Sequence, residues 1–150
     1  MRRREQWAAG QAILNWSWFG TALFTLTAAA ATICPDTFEW LNAGVSLVLF
    51  AAGTVAMGWA LLIAVERSRH HVIGIAGLYF AAGSASPEVR RILLSSLAVE
   101  IVVALTTASM RSYTPAAFGL LVPVWALGLT GLWCARHGEF EVRKTDPQSG

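Results

Sequence analysis

The sequence predicts a single integral membrane domain over residues 1–150, of the all-α class, with four transmembrane helices and both termini in the cytoplasm. Hydrophobic residues make up 55% of the chain and charged residues only 13%, roughly half the charged fraction of soluble domains. The charges stand in short clusters between long neutral runs, each about as long as the 20 residues that a spanning helix needs. The basic residues also fall almost entirely on one side of the predicted topology.

The first predicted span covers about 12–34, within an uncharged stretch from residue 6 to residue 34. Pro35 follows, where a helix is expected to stop. A signal peptide is an alternative interpretation of this segment, because MRRR precedes the apolar run. Asn15 and Trp16 are unusual inside such a peptide, so we prefer a membrane span.

The second predicted span covers about 40–65 and follows CPDTFEW, a sequence typical of a polar turn. It ends at the charged sequence ERSRHH. The next apolar run, 72–86, has 15 residues and three glycines, which favours a re-entrant or interfacial segment over a crossing. A chain in which 72–86 forms a fifth span is the alternative.

The third and fourth predicted spans cover about 92–110 and about 115–135, and 136–150 is expected to be a cytoplasmic tail. The sequence SPEVRR before the third span is typical of a helix start. Ser86 is suited to the N-cap position and Pro87 to the first helical position.

The basic residues distinguish four spans from five. With four spans, ten of the eleven Lys and Arg residues lie inside and only Arg111 lies outside. With five spans the division becomes six and five. Because cytoplasmic loops of membrane proteins are enriched in Lys and Arg, the four-span topology is favoured.

Glu100 is a lone acid in the uncharged run SSLAVEIVVAL. Ser96, Ala104 and Thr107 share its helical face, which we therefore expect to contact other helices and not lipid. In a hairpin of the third and fourth spans, Trp125 lies level with Glu100, and its indole N–H is a suitable donor. These residues form a predicted intramembrane polar site. A neutral hydrogen-bonded acid, a proton or cation site and an incidental polar position remain open interpretations.

Threonines on the neighbouring spans are candidates for completing this polar interior. Thr21 and Thr25 lie on the first span, and Thr54 lies near the middle of the second. Hydroxyl groups in membrane helices commonly bond to their own backbone or to another helix. We therefore expect each of these residues either to back-bond or to contact Glu100.

A basic cytoplasmic surface is predicted around the 72–86 segment. It comprises Arg67, Arg69, His70, His71, Arg90 and Arg91. Contact with anionic lipid headgroups and docking of a soluble partner are the two interpretations. Because adjacent residues on a helix face in different directions, His70 and His71 do not predict a metal site.

The sequence contains no common catalytic or cofactor-binding motif. GxSxG, P-loop, HExxH and GxGxxG patterns are absent. Cys34 and Cys134 are expected at opposite membrane surfaces, too far apart to bridge within one chain. The sequence therefore predicts a protein that is not an enzyme, holds no cofactor or metal and does not bind nucleic acid.

The segment 87–141 carries a family resemblance. With SPEVRR and RSYTPAAFGLLVPVWALGLTGLWCARHGEF, it resembles small uncharacterised four-helix membrane proteins of actinobacterial type. The likeness covers roughly a third of the chain and implies a bacterial plasma-membrane location with no known activity. Small multidrug resistance transporters are of similar size, but they carry their essential acid in the first helix, where this chain has none.

Two functional hypotheses follow. The first is a non-enzymatic accessory subunit or assembly factor of a larger membrane complex, with other membrane subunits, or copies of itself, and lipid as its partners. Short connections and many small residues in the spans support it. The alternative is a small homo-oligomeric proton-coupled transporter or channel in which Glu100 titrates.

Overall fold

The computed structural model describes residues 10–110 and 113–142. Within these ranges the chain is built of helices. They are α1 Gln11–Ile33, α2 Pro35–Arg67, α3 Ile75–Tyr79, α4 Pro87–Met110, a 3₁₀ helix Pro115–Leu121 and α5 Pro123–His137. Three helical stretches are long and apolar enough to cross a membrane: Pro35–Arg67, Pro87–Met110 and Ala117–His137. The described part of the protein is therefore all-helical, and its three long apolar helices suggest a membrane protein.

The α1 helix is long enough to cross a membrane but is not one of the three apolar stretches above. Its 23 residues extend for about 35 Å. They include Asn15 and four threonines. Its crossing of the bilayer thus stays a prediction.

The connection between α1 and α2 is tighter than predicted. Cys34 alone separates the two helices, and its amide donates to the Ala30 carbonyl at 2.8 Å. Pro35 begins α2, where its missing N–H group needs no helical partner. The CPDTFEW sequence therefore lies mainly in the first turns of α2, and the predicted polar turn is wrong. The α2 helix has 33 residues, about 50 Å of helix.

Two apolar clusters form the interior. One contains Leu14, Leu93 and Trp133, and the other contains Phe24 and Ala104. In the sequence, Ser17 and Thr21 of α1 and Ser96 and Glu100 of α4 lie between the members of the two clusters. The interior is therefore apolar at both ends with a polar layer between them.

The 72–86 segment folds over the end of the helices. It contains α3, which is only five residues long, or about 8 Å. This length is too short to cross a bilayer, which removes the five-span alternative. The Val72 amide donates to the Glu141 carbonyl, and the Glu139 amide donates to the Ser84 carbonyl, both at 2.9 Å. We call residues 72–86 together with 138–142 the cap.

Buried side chains hold the cap against the long helices. Leu78, Tyr79 and Ala81 are buried in the same cluster as Trp133. The Tyr79 hydroxyl donates to the Met57 carbonyl of α2 at 3.3 Å. Burial against protein thus explains the apolar character of these positions, whereas Val72, Ile75 and Phe80 of the same segment are exposed.

Candidate functional site: a buried acid between two helices

The predicted polar face of α4 lies against α1. Glu100 is 0% exposed, and its Oε1 atom lies 2.7 Å from the Thr21 hydroxyl of α1. One turn away, the hydroxyls of Ser17 and Ser96 are also 2.7 Å apart. All four side chains are buried. Two polar contacts therefore join α1 to α4 in the layer between the apolar clusters.

The positions of the acceptors favour a protonated Glu100. The Thr21 hydroxyl lies 3.0 Å from the Ser17 carbonyl as well as 2.7 Å from Glu100, yet it has one proton to donate. If Thr21 donates to the carbonyl, a protonated Glu100 donates to Thr21 and both contacts are hydrogen bonds. If Glu100 is ionised, Thr21 donates to it and the contact with Ser17 is lost.

The second carboxyl oxygen supports the same conclusion. Oε2 of Glu100 is buried and has no hydrogen-bond partner among the described residues. An unpaired buried polar atom is costly, and a charged one much more so. The neutral acid therefore fits this environment better than the carboxylate.

The serine contact has a defined direction. The Ser96 hydroxyl donates to the Leu93 carbonyl of its own helix at 2.8 Å. Because its proton is used there, Ser17 donates to Ser96. The α1 helix thus donates at the serine contact, and at the Glu100 contact it accepts when the acid is protonated.

The start of α5 approaches Glu100 from a third side. The amide of Ala126, in the first turn of α5, interacts electrostatically with the Glu100 carboxyl. The N-terminal end of a helix carries a partial positive charge. Pro123 has no N–H group and so cannot donate to the Gly119 carbonyl. That carbonyl instead accepts from the Val122 amide of the preceding 3₁₀ turn, at 3.1 Å.

Trp125 does not form the predicted hydrogen bond with Glu100. Its indole Nε1 is buried without a partner, and the ring lies against Gly20 of α1 so closely that a Cβ atom at Gly20 would clash with it. A hairpin of the third and fourth spans predicts the depth of Trp125 in the membrane but not the direction of its side chain. The Trp125 ring points into the space left by Gly20. The position of that space depends on how α1 packs against α5.

The remaining predicted polar residues lie elsewhere. Thr107 is buried and lies two turns beyond Glu100, where it lines an apolar groove between α1 and α4. Thr25 donates to the Thr21 carbonyl at 2.7 Å. Thr54 is exposed and donates to the Phe50 carbonyl at 2.8 Å.

Sequence reasoning missed the pairing of Ser17 with Ser96. The available signal was the spacing of Ser17 and Thr21, which places two hydroxyls on one face of α1. The same spacing separates Ser96 from Glu100 on α4. The two matching pairs could have indicated that these faces meet.

The residues of the predicted basic surface divide into two groups. Arg67, Arg69, His70 and His71 line one cavity at the end of α2. Arg90 lies at the start of α4 and donates from Nε to the Phe80 carbonyl at 3.2 Å, and Arg91 is exposed beside it.

Arg67 has a structural role within the first group. Its guanidinium donates to the Ala135 carbonyl at 2.6 Å and to the Gly138 carbonyl at 3.1 Å. It also lies over the Phe140 ring, 5.4 Å from the centroid. Arg67 therefore joins the ends of α2 and α5 to the cap, where a cation also suits the negative end of α5.

Metal ligands and thiols give no further site. No group of three or more His, Cys, Asp or Glu side chains able to hold a metal is found in the described ranges. Both cysteines are free thiols, with Cys34 exposed and Cys134 buried.

Comparison with known proteins gives no match. The chain fits no protein family model, and neither the curated proteins nor the solved structures contain a similar one. The resemblance to actinobacterial membrane proteins therefore stays a prediction.

Proposed function

We propose that this protein is a four-span protein of a bacterial plasma membrane, with both termini in the cytoplasm. In this proposal it acts as a non-enzymatic accessory subunit or assembly factor of a larger membrane complex. It binds its partner through helix–helix contacts within the bilayer. The observation that carries the proposal is an unpartnered repeat on the outward face of α2.

The repeat alternates spacings of three and four residues, as in helices that pack side by side. We call it the seam, and it consists of Leu41, Gly44, Val48, Ala51, Val55 and Gly58. All six residues are exposed, and Val48 and Val55 are 68% and 70% exposed. A small residue recurs at every seventh position, at Gly44, Ala51 and Gly58. Valine follows Gly44 and Ala51 four positions later, at Val48 and Val55.

The glycines of the seam pack against no other helix in the part of the chain that the structure describes. A Cβ atom added at Gly44 or Gly58 would meet no other atom within 4 Å. Glycine in a helix costs about 1 kcal/mol relative to alanine, so its use here needs another reason. Close approach of a second helix is such a reason, because small residues bring helix backbones together in membranes.

The distribution of charges supports the proposed orientation. The cap, the end of α2 and the start of α4 lie at one end of the helices and carry Arg67, Arg69, Arg90 and Arg91. Asp36 and Glu39 lie at the opposite end, in the first turns of α2. The positive-inside rule assigns the basic end to the cytoplasm. Arg111 and the basic residues near both termini, which contribute to the same count, lie outside the described residues.

The burial of Glu100 supports a role in packing within this protein. An acid that moves protons across a membrane needs access to water from both sides at some stage of its cycle. Glu100 is fully buried and contacts a threonine of the neighbouring helix. A neutral acid that joins two helices provides a fixed scaffold on which the seam is presented.

The alternative, a proton-coupled transporter, is favoured by two observations at the Glu100 carboxyl. Oε2 of Glu100 is buried and unpaired, and the first turn of α5 approaches the same carboxyl. Glu100→Gln separates the two functions, because glutamine keeps a donor and an acceptor but cannot titrate. The accessory function predicts that assembly with the partner is unchanged. Loss of a proton flux that the wild-type protein shows in proteoliposomes would establish the transporter.

The seam is tested by filling it. The double variant Gly44→Leu/Gly58→Leu adds bulk where the chain has open space, so the single chain should fold as before. We expect the variant to lose the partner that the wild-type protein retains after mild crosslinking and purification in detergent. The partner is identified by mass spectrometry, with a second copy of this chain as one possible identity.

The control places the same bulk on another exposed helix face. Ala22 and Ala29 are exposed on α1, and Ala22→Leu/Ala29→Leu should retain the partner. A wild-type protein that stays a lone monomer under crosslinking would overturn the proposal. Equal loss of the partner in both double variants would exclude the seam as its site.

A further inference from the structure

A cavity lies at the end of α2 beside the cap. Its volume is about 710 Å³, within the range of ligand-binding pockets. Leu62 and Val65 form its apolar part. Its basic groups come from Arg67, Arg69, His70 and His71, and Glu66 is the one acid among the described residues that lines it.

The basic side chains differ in their availability to a ligand. The guanidinium of Arg67 is held by two carbonyls, and it contributes a fixed positive charge. The side chain of His71 contacts the Phe140 carbonyl through Nδ1 at 3.3 Å, which leaves Nε2 for a ligand. Arg69 and His70 are exposed and supply the donors best placed to close on an anion.

The apolar part of the cavity faces the surroundings of the helix bundle. Leu62 is 68% exposed and Val65 is 65% exposed. Leu62 follows Gly58 by four residues and continues the outward face of α2. The cavity thus combines an apolar surface on a long apolar helix with a group of basic side chains where that helix ends. A ligand that fills both parts has an anionic head and an apolar chain.

We propose that this cavity binds the headgroup of an anionic phospholipid. The phosphate lies near Arg69 and His70, and the first part of an acyl chain lies along Leu62 and Val65. Anionic headgroups collect at the cytoplasmic surface and attract basic side chains next to a membrane helix. Glu66 repels an anionic headgroup and weakens this attraction. Preference for an anionic lipid therefore depends on the basic residues of the cavity. The inference rests on the cytoplasmic orientation proposed above and does not require a partner at the seam.

The test measures lipid retention by the full chain. The protein is delipidated in detergent, then offered equal amounts of phosphatidylglycerol and phosphatidylcholine in mixed micelles, and bound lipid is counted by native mass spectrometry. We expect phosphatidylglycerol to be retained in preference. Arg69→Gln should lower its affinity about fivefold, the effect of one basic residue at an anionic surface, and Glu66→Gln should raise it.

Arg91→Gln is the matched control. Arg91 is an exposed arginine of the same basic end, but it does not line the cavity. This variant removes the same charge and should retain the lipid. Equal losses for Arg69→Gln and Arg91→Gln would overturn the proposal in favour of general surface attraction, and so would equal retention of both lipids.

A second arm separates the lipid from a soluble anion. Inorganic phosphate shares the charge of the headgroup but has no apolar chain. We expect phosphate to displace the lipid only weakly. Its effect should equal that of chloride at the same ionic strength. Specific displacement by phosphate, lost in Arg69→Gln, would overturn the lipid assignment and identify a soluble phosphate ligand.

Discussion

The contact between α1 and α4 and the contact between α2 and α5 are built in different ways. The first uses side-chain hydrogen bonds, between Thr21 and Glu100 and between Ser17 and Ser96. The second, the most extensive between two helices of the chain, depends on close backbone approach at glycines.

Gly53 of α2 and Gly128 of α5 form the centre of the second contact. A Cβ atom at Gly53 would lie 2.6 Å from the backbone nitrogen of Trp125, and one at Gly128 would clash with the Gly53 carbonyl. These positions have no room for any side chain. The two backbones therefore meet directly.

The difference shows how a chain in lipid joins helices without a hydrophobic driving force between them. Close packing and interhelical hydrogen bonds are the available sources of stability. The α2 and α5 helices use close packing. The α1 helix, with its buried hydroxyls, uses hydrogen bonds. Substitutions in the two contacts should therefore have different magnitudes and different remedies.

The largest effect is expected at Gly53. Gly53→Leu places a side chain against the backbone of α5, which cannot move aside as a flexible side chain does. We expect destabilisation of about 3 kcal/mol or more, at the upper end of the range for overpacking. Unfolding of the purified protein in detergent, followed by circular dichroism, measures this loss.

Gly58→Leu is the control for this prediction. It introduces the same side chain on the same helix where no atom lies within 4 Å, so the stability of the single chain should be retained. Similar losses in the two variants would show that the contact does not depend on close approach.

An intermediate effect is expected at Glu100. Glu100→Ala removes the partner of Thr21 and leaves a cavity, with an expected cost of about 2 kcal/mol. Glu100→Gln should cost less than about 1 kcal/mol, because the amide still donates to Thr21. A double-mutant cycle of Glu100→Gln and Thr21→Val measures how far the amide replaces the acid. Coupling near zero between Glu100→Ala and Thr21→Val would contradict the hydrogen bond.

The smallest effect is expected at the serine contact. Ser17→Ala removes one interhelical hydrogen bond, and bonds of this kind contribute about 0.6 kcal/mol on average in membrane proteins. Ser95→Ala is the control, because Ser95 is exposed and its hydroxyl donates to Ile92 of its own helix. A Ser17→Ala variant no less stable than Ser95→Ala would show that the serine contact does not hold α1 to α4.

The sequence predicts the long helices and the burial of Glu100 well, because both depend on local patterns. Uncharged runs determine where helices can lie in a membrane, and a stripe of small and polar residues determines which face turns inward. Pro35 shows a limit of such patterns. A proline is equally suited to follow one helix and to begin the next, and here it begins α2.

The packing partners could not be predicted in the same way. Gly53 and Gly58 are five residues apart on one helix, yet one is buried against α5 and the other faces outward. The choice between them depends on where α5 lies, which no local pattern specifies. The side-chain direction of Trp125 depends in the same way on the space that Gly20 provides.

Arg67 has a consequence for the order in which the protein assembles. Its hydrogen-bond acceptor at Ala135 lies 68 residues later in the chain, and the cap closes only with residues beyond the end of α5. The ribosome therefore finishes the 72–86 segment after its contacts on α2 have been made, such as Met57, but before α5 exists. The binding surface of this apolar segment is complete only when α5 has docked, so closure of the cap has to follow the docking of α5.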